Sequence, residues 1–230
     1  MTKNTPIVSI PDNVVGYVKN MITRGELIPG DRLPSERQLS ESLGVARMSL
    51  REAIKKLQCK GYVVVRRGKL GGTFISELSQ PQAEWLSMMR EQNEVLNDIT
   101  ALRVAIESHA AYLAAHNKMP SDLLVMEKAI QQQLDATHSS EFRLADSLFH
   151  EAIGKASGSV RLENAIREVR GEFFSPVDMF DFPKPIDEDN RQHQIIFDAI
   201  KVGDAEEARI AMRQHIENTS NEIFNLLYRG

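Results

Sequence analysis

Two short β-type segments, YVVVRR and GTFIS joined by GKLGG, interrupt a chain whose apolar residues otherwise recur with the period of an α-helix. A lone hairpin cannot bury a core by itself, so it must pack against helices, and the fold class is predicted to be mainly α. Three helical stretches precede the hairpin. After a loose arm over residues 1–10, Asp12 is expected to cap a first helix with Val14, Val15, Val18, Met21 and Ile22 on its apolar stripe, ending near Gly25. Pro29-Gly30 then turns the chain, and Ser35 with Gln38 has the spacing of a capping box that opens a short second helix running to about Leu43. Beyond Gly44, residues Val45, Leu50, Ala53, Ile54 and Leu57 mark the inward face of a third helix that ends at Gly61.

Helix, helix, turn, helix and a two-stranded wing is the order of a winged helix-turn-helix, predicted over residues 1–76. The polar stretch 77–82, with Pro81, reads as a linker. Residues 83–230 contain no alternating run of useful length and are predicted to form an all-α bundle. Its breaks fall near Asn93, Met119-Pro120, His138-Ser139, Ser157-Gly158 and Gly203-Asp204, with Ser121, Ser139 and Asp204 as expected caps and one long loop at 175–185.

Charge divides along the same boundary. The whole chain carries −4, but residues 1–76 hold 13 Lys and Arg against 6 Asp and Glu, whereas the remainder holds 15 against 26. Clustered cations on one module suit a polyanion such as DNA, because phosphate contact rewards local positive charge. No apolar run approaches the ~20 residues needed to cross a bilayer. The single cysteine, Cys59, cannot form an intrachain disulfide and reads as an ordinary helix residue, and with no signal peptide a cytoplasmic setting is expected.

Within the third helix Arg47, Arg51 and Lys55 fall at i, i+4 and i+8, so they share the face opposite the apolar stripe. A solvated helix face would show the same spacing, but Arg37 near the second helix start and Arg66, Arg67 and Lys69 on the wing add cations to one side. Arginine early in such a helix can fork onto guanine, while the lysine further along suits phosphate. The run GELIPGDRLPSERQLSESLGVARMSLREAIKKLQCKGYVVVRRGKLGGTFIS resembles the winged helix of the GntR family of bacterial regulators, almost without gaps. That resemblance implies operator contacts for Arg37, Arg47 and Arg51, a phosphate contact for Ser49, and a wing tip at Gly68 and its neighbours Arg67 and Lys69 that enters the minor groove. Ala46 and Met48 stand where many relatives carry small hydroxyl residues, which would alter operator preference.

Six histidines are present, and only some sit where a metal could use them. Asp146 and His150 project from one helix face at i and i+4 and could chelate one ion; His193 and His215 lie on two further helices. One carboxylate with three imidazoles suits Zn, Ni, Mn or Fe, whereas a histidine on a mixed helix face is more often hydrogen-bonded or exposed. His109, His116 and His138 fit that second description. The segments LRVAIESHAAYLAA, DSLFH, HQIIFDAIKVGDAEEA and MRQH resemble the all-helical FCD ligand-binding domain of the FadR-type subfamily. The resemblance implies a divalent metal, zinc foremost, held by Asp146, His150, His193 and His215, with a small carboxylate effector completing its coordination. Arg103 matches a subfamily position facing the same cavity, and its alternative role is an intrahelical pair with Glu107. Ser159 replaces an Asn that relatives carry after the preceding glycine, so an amide that could order the site is missing.

The expected function is a ligand-responsive transcriptional regulator, a repressor, and not an enzyme. One recognition helix reads only a few base pairs, so a homodimer on a pseudo-palindromic operator is expected. Two alternatives stand beside it. One is a metal-dependent hydrolase targeted to DNA, with Glu151 as a conceivable base; the other is a metal-free regulator that answers to acyl ligands.

Overall fold

The computed structural model describes residues 9–68, 71–78, 84, 87, 93–137, 139–173 and 186–229. The first helix, α1 (Ile10–Thr23), starts three residues earlier than expected. Ser9, not Asp12, is its cap: the Ser9 hydroxyl accepts from the Asp12 backbone N–H at 3.3 Å and donates to the Asp12 carboxylate at 2.5 Å. Asp12 therefore sits in the first turn, where its charge complements the helix dipole. The expected arm is reduced accordingly, since Ser9 and Ile10 belong to the helix start, and residues 1–8 lie outside the described residues.

Helix α2 (Glu36–Leu43) opens with the capping box read from the sequence: Gln38 N–H donates to Ser35 Oγ at 3.3 Å and Ser35 N–H donates to Gln38 Oε1 at 3.1 Å. It closes at Gly44 in the left-handed conformation, and α3 (Arg47–Cys59) follows. Cys59 is exposed with a free thiol. Strands β1 (Val63–Arg66) and β2 (Gly72–Ile75) pair antiparallel with Val63 opposite Ile75 and Arg66 opposite Gly72. A short segment at Arg32 bridges to Phe74 on the outer edge of β2. The turn demands glycine twice: Gly68 has φ of 105°, and a Cβ on Gly71 would collide with the Arg66 carbonyl.

One core serves this region. Val14, Val18 and Ile22 of α1 pack with Leu50, Ala53 and Leu57 of α3, and Val63, Ile75 and Leu78 close it from the wing side. Val45 is only partly buried and packs at its margin.

The second core is a helical bundle of α4 (Asn93–Asn117), α5 (Pro120–Leu134), α6 (Ser139–Ala156), α7 (Val160–Phe173), α8 (Ile186–Val202) and α9 (Ala205–Arg229). Helix α4 touches α6, α7, α8 and α9, which makes it the axis of the bundle. Asp204 caps α9 through the Glu207 N–H at 3.0 Å, as expected. Ser121 does not cap α5; the helix begins at Pro120, and Asp122 reaches back to the Met119 N–H at 2.9 Å. Pro at the first position needs no hydrogen-bond acceptor, and the cap falls at Met119, two residues earlier than expected. Ser159 caps α7, accepting from the Leu162 N–H at 3.3 Å. His138, the Ser139 side chain, residues 79–82 of the expected linker, and residues 174–185, which include the loop expected at 175–185, lie outside the described residues. Among the described residues no helix is long and apolar enough to cross a membrane.

Candidate metal centre and DNA-reading face

Three helices of the bundle present charged or imidazole groups where packing would predict hydrocarbon. Asp146 and His150 project from α6, His193 from α8 and His215 from α9, all four are buried, and one ligand atom from each lies within 4.8 Å of the others. His193 Nε2 stands 3.2 Å from His215 Nε2 and 3.5 Å from Asp146 Oδ1, and His150 Nε2 stands 3.8 Å from the same oxygen.

The opposite edge of each ring explains this orientation. Glu107 Oε2 lies 2.5 Å from His150 Nδ1, Gln133 Oε1 lies 2.7 Å from His193 Nδ1, and Gln192 Oε1 lies 3.0 Å from His215 Nδ1. An oxygen acceptor at Nδ1 of His193 and of His215 keeps the ring hydrogen there and leaves the Nε2 lone pair directed at the centre, whereas Glu107 approaches His150 Nδ1 outside hydrogen-bond geometry. Burial holds the His150 and His215 imidazoles well below their ordinary range, with Arg170 adding to the effect at His150 and the His193 ring at His215. Those two rings are therefore neutral at pH 7, the form in which imidazole binds a metal. Facing lone pairs at 3.2 Å repel unless a cation or proton lies between them. His150 Nε2 finds no hydrogen-bond partner among the described residues. Three imidazoles and one carboxylate aimed at one point thus fit a divalent ion of the Zn, Ni, Mn or Fe type.

A second layer neutralises the charge. Arg103 and Glu107 on α4 are each 1% exposed, with Arg103 Nε donating to Glu107 Oε1 at 2.6 Å, the intrahelical pair weighed from the sequence. Burial pulls the Arg103 guanidinium downward while Glu107 opposes that pull, and an arginine stays charged under such conditions. Arg170 on α7 donates to Asp146 Oδ2 and stands 3.7 Å from Glu107. Two guanidinium groups and two carboxylates therefore share one interior, with Phe149 stacked on His193 at a centroid distance of 4.3 Å.

Sequence reasoning did not assign Gln133, Gln192 or Arg170, and named Glu107 only as an alternative partner for Arg103. A signal was present for three of them. Gln133 follows Met126, Ala129 and Ile130 on a core stripe, Arg170 follows Ile166 and Val169, and Glu107 precedes Ala110 and Ala114. A polar residue at an apolar stripe position must be partnered inside. No such signal marks Gln192. The conceivable base Glu151 is committed elsewhere: its carboxylate meets Arg24 at 2.5 Å and Arg167 at 3.3 Å. His109 and His116 are exposed and pack around Tyr112.

On the other module Arg47, Arg51 and Lys55 are exposed on one side of α3, and Arg37 is exposed on α2. Arg47 is the first residue of α3, and Ala46 supplies no side-chain cap there. Arg51 forks onto Glu36, donating through Nε at 3.2 Å and Nη2 at 2.9 Å, which raises its already high pKa. Arg37 meets Glu41 at 3.5 Å. Ser49 is half-buried and Met48 is 77% exposed, so a thioether stands on the surface beside Arg47. Arg67 and Gly68 are exposed on the wing, whereas the Arg66 guanidinium lies over the Phe74 ring at 4.7 Å. Lys69 lies outside the described residues. Glu36, unassigned from the sequence, holds the Arg51 fork between α2 and α3 before any DNA arrives.

A cationic winged helix joined to a helical bundle with a polar interior defines a DNA-binding transcriptional regulator. The chain matches the bacterial regulatory proteins of the gntR family over residues 11–75 and the FCD domain over residues 98–218. It belongs to the GntR family, in the branch that carries an FCD domain. It is 35% identical over 224 residues to the protein assigned as regulator of the L-lactate dehydrogenase operon in Escherichia coli (strain K12), covering 90% of this chain and 83% of that one. The HTH-type transcriptional regulator LutR of Bacillus subtilis (strain 168) is 29% identical over 215 residues, covering 88% and 96%. Among solved structures, E. coli McbR/YncC shares the fold with a TM-score of 0.54 at 21% identity, covering 97% of this chain and 99% of that one. The domains and relatives are those of DNA-binding regulators rather than enzymes.

Glu107 contacts Arg103, His150 and Arg170 together, so its removal strands buried positive charge. Glu107→Ala is expected to lower unfolding free energy by about 3–5 kcal/mol, read from urea denaturation; a loss below ~1 kcal/mol would contradict the buried network.

Proposed function

We propose that this regulator is a metal-dependent carboxylate sensor that represses transcription as a homodimer on a pseudo-palindromic operator, releasing DNA when its effector binds. Asp146, His150, His193 and His215 would hold the metal, zinc foremost. The observation that carries the reading is the convergence of the imidazoles: His193 and His215 each meet an amide oxygen at Nδ1, His150 has the Glu107 carboxylate beside its Nδ1, and every Nε2 is turned toward Asp146 or another ring. Histidines buried for packing alone have no reason to converge in this way.

A divalent ion bound there supplies a Lewis-acidic position that a carboxylate oxygen can fill. The chain's own residues account for the preference for an anion. Asp146 is the one carboxylate among the four ligands, and its second oxygen is already neutralised by Arg170, while Glu107 is matched by Arg103. A divalent charge is thus left undercompensated in a dry interior, and Arg103 is suited to orient an incoming carboxylate. Gln133 Nε2 and the Asn190 side-chain amide, both buried without partners among the described residues, can donate to a second oxygen such as a hydroxyl. The relative assigned to the L-lactate dehydrogenase operon makes 2-hydroxy acids the first effectors to try.

Operator reading is assigned to Arg37, Arg47, Ser49 and Arg51 on the helices and to Arg67, Gly68 and Lys69 on the wing. Arg47→Ala is expected to weaken operator binding by about 1–3 kcal/mol and to relax discrimination at one base pair, measured by fluorescence anisotropy against single-base variants. An equal loss on every sequence would reduce Arg47 to a phosphate contact.

The sensor half is tested by thermal shift on untagged protein with L-lactate and other small mono- and dicarboxylates, with and without EDTA. A ligand at roughly a hundredfold its Kd should raise the melting temperature by about 5–10 °C in the metal-loaded protein, and by nothing after chelation or in His193→Ala. Equal stabilisation with and without chelator would instead support a metal-free acid site.

A further inference from the structure

The bundle helices that carry the site also carry the contacts to the DNA-binding module. On α6, Asp146 and His150 lie between Arg143 and Glu151. Arg143, buried, donates to the Ile22 carbonyl at 3.2 Å, and Glu151 meets Arg24 at 2.5 Å. On α7, Arg170 binds Asp146, and Gly171 beside it lies so close to α1 that a Cβ would stand 2.8 Å from Asn20 Oδ1 and 2.9 Å from its Cγ. Arg167, one turn earlier, shares Glu151 with Arg24 at 3.3 Å.

Three of these contacts, from Arg143, Glu151 and Gly171, converge on the last turn of α1 and the residue after it. There the helix presents its negative dipole end, which Arg143 complements as a second donor to the Ile22 carbonyl beside the Gly25 N–H. Helix α1 in turn packs on α3 through Val14, Val18 and Ile22, and Asp12 meets Lys56 of α3 at 2.8 Å. An unbroken series of packed and paired groups therefore runs from Asp146 to the recognition helix.

We infer that Glu151 is a coupling residue: with Arg24 and Arg167 it fastens the end of α1 to α6 and α7, so that filling the buried site changes how firmly the DNA-binding module is held. The inference rests on the metal-site reading above. Asp146 can transmit a shift because its two oxygens face different ways, Oδ1 toward His150 and His193 and Oδ2 toward Arg170 on α7. Glu151 adds the only carboxylate among the described residues that joins α6, α7 and the end of α1 by ion pairs. Coupling requires that the held and loosened arrangements differ in metal affinity, and a single packed contact region is the element through which both sites act.

The test uses the full chain, apo and loaded with zinc alone. Zinc affinity is measured by competition with a chromogenic chelator, and amide hydrogen exchange is followed by mass spectrometry over residues 10–24. In the natural sequence zinc is expected to slow exchange in α1 by about fivefold. Glu151→Gln should bind zinc within about twofold of the natural chain yet show no zinc-dependent change in α1. Arg24→Gln breaks the same pair from the more exposed side and serves if Glu151→Gln does not fold. Zinc-dependent slowing that persists in either folded variant, or its absence in the natural chain despite zinc binding, overturns the coupling role. Failure of the natural chain to bind zinc would instead remove the metal-site reading itself, and the coupling role with it.

Discussion

Burying ionised groups inside a helical bundle is costly unless every charge finds a counter-charge or a directed hydrogen bond, and this constraint organises the second domain. Arg103, Glu107, Asp146 and Arg170 balance one another, while the His193 and His215 rings are held by amide oxygens and His150 lies beside Glu107. The arrangement draws on all six bundle helices: α4 supplies Glu107 and Arg103, α5 Gln133, α6 Asp146 and His150, α7 Arg170, α8 Gln192 and His193, and α9 His215. A polar centre built from every helix fixes their relative positions more narrowly than hydrocarbon packing would. It also makes the interior responsive, because a change at one member disturbs partners on other helices.

The DNA-binding module follows the opposite logic. Its interior is hydrocarbon from Val14 to Leu78, and its charge is kept outside, where Arg51 is held by Glu36 and Arg37 by Glu41. Exposed pairs of this kind contribute little to stability, but they pre-orient guanidinium groups that would otherwise lose rotamer freedom on meeting a groove. The two modules touch where the end of α1 meets α6 and α7, beside the buried centre rather than at its far side.

Much of this was legible in the residue order. Periodicity and capping chemistry placed the helices of the first module and its hairpin, because the Ser35-Gln38 box and the left-handed Gly44 are local devices that need no distant partner. The four candidate ligands were named through resemblance, since an i, i+4 pair such as Asp146 and His150 is local but its meeting with His193 and His215 depends on three helices packing together. The orienting residues were hidden for the same reason. Gln192 looks like an ordinary surface amide until the ring it holds is in place, whereas Arg170 and Gln133 occupy core stripe positions. Asp12 and Ser121 were assigned as caps on residue type alone, and the start positions shifted because Ser9 and Pro120 opened the helices earlier. Glu151, adjacent to a ligand in the chain, faces the other module in space.

X-ray absorption at the zinc edge of the zinc-loaded protein tests the central claim most directly, because it reads the donor atoms themselves. The account predicts a first shell of three imidazole nitrogens with one or two oxygens at about 2.0–2.2 Å, and the loss of one imidazole in His215→Ala. A shell of oxygens without imidazole scattering, or one unchanged by that substitution, would contradict it.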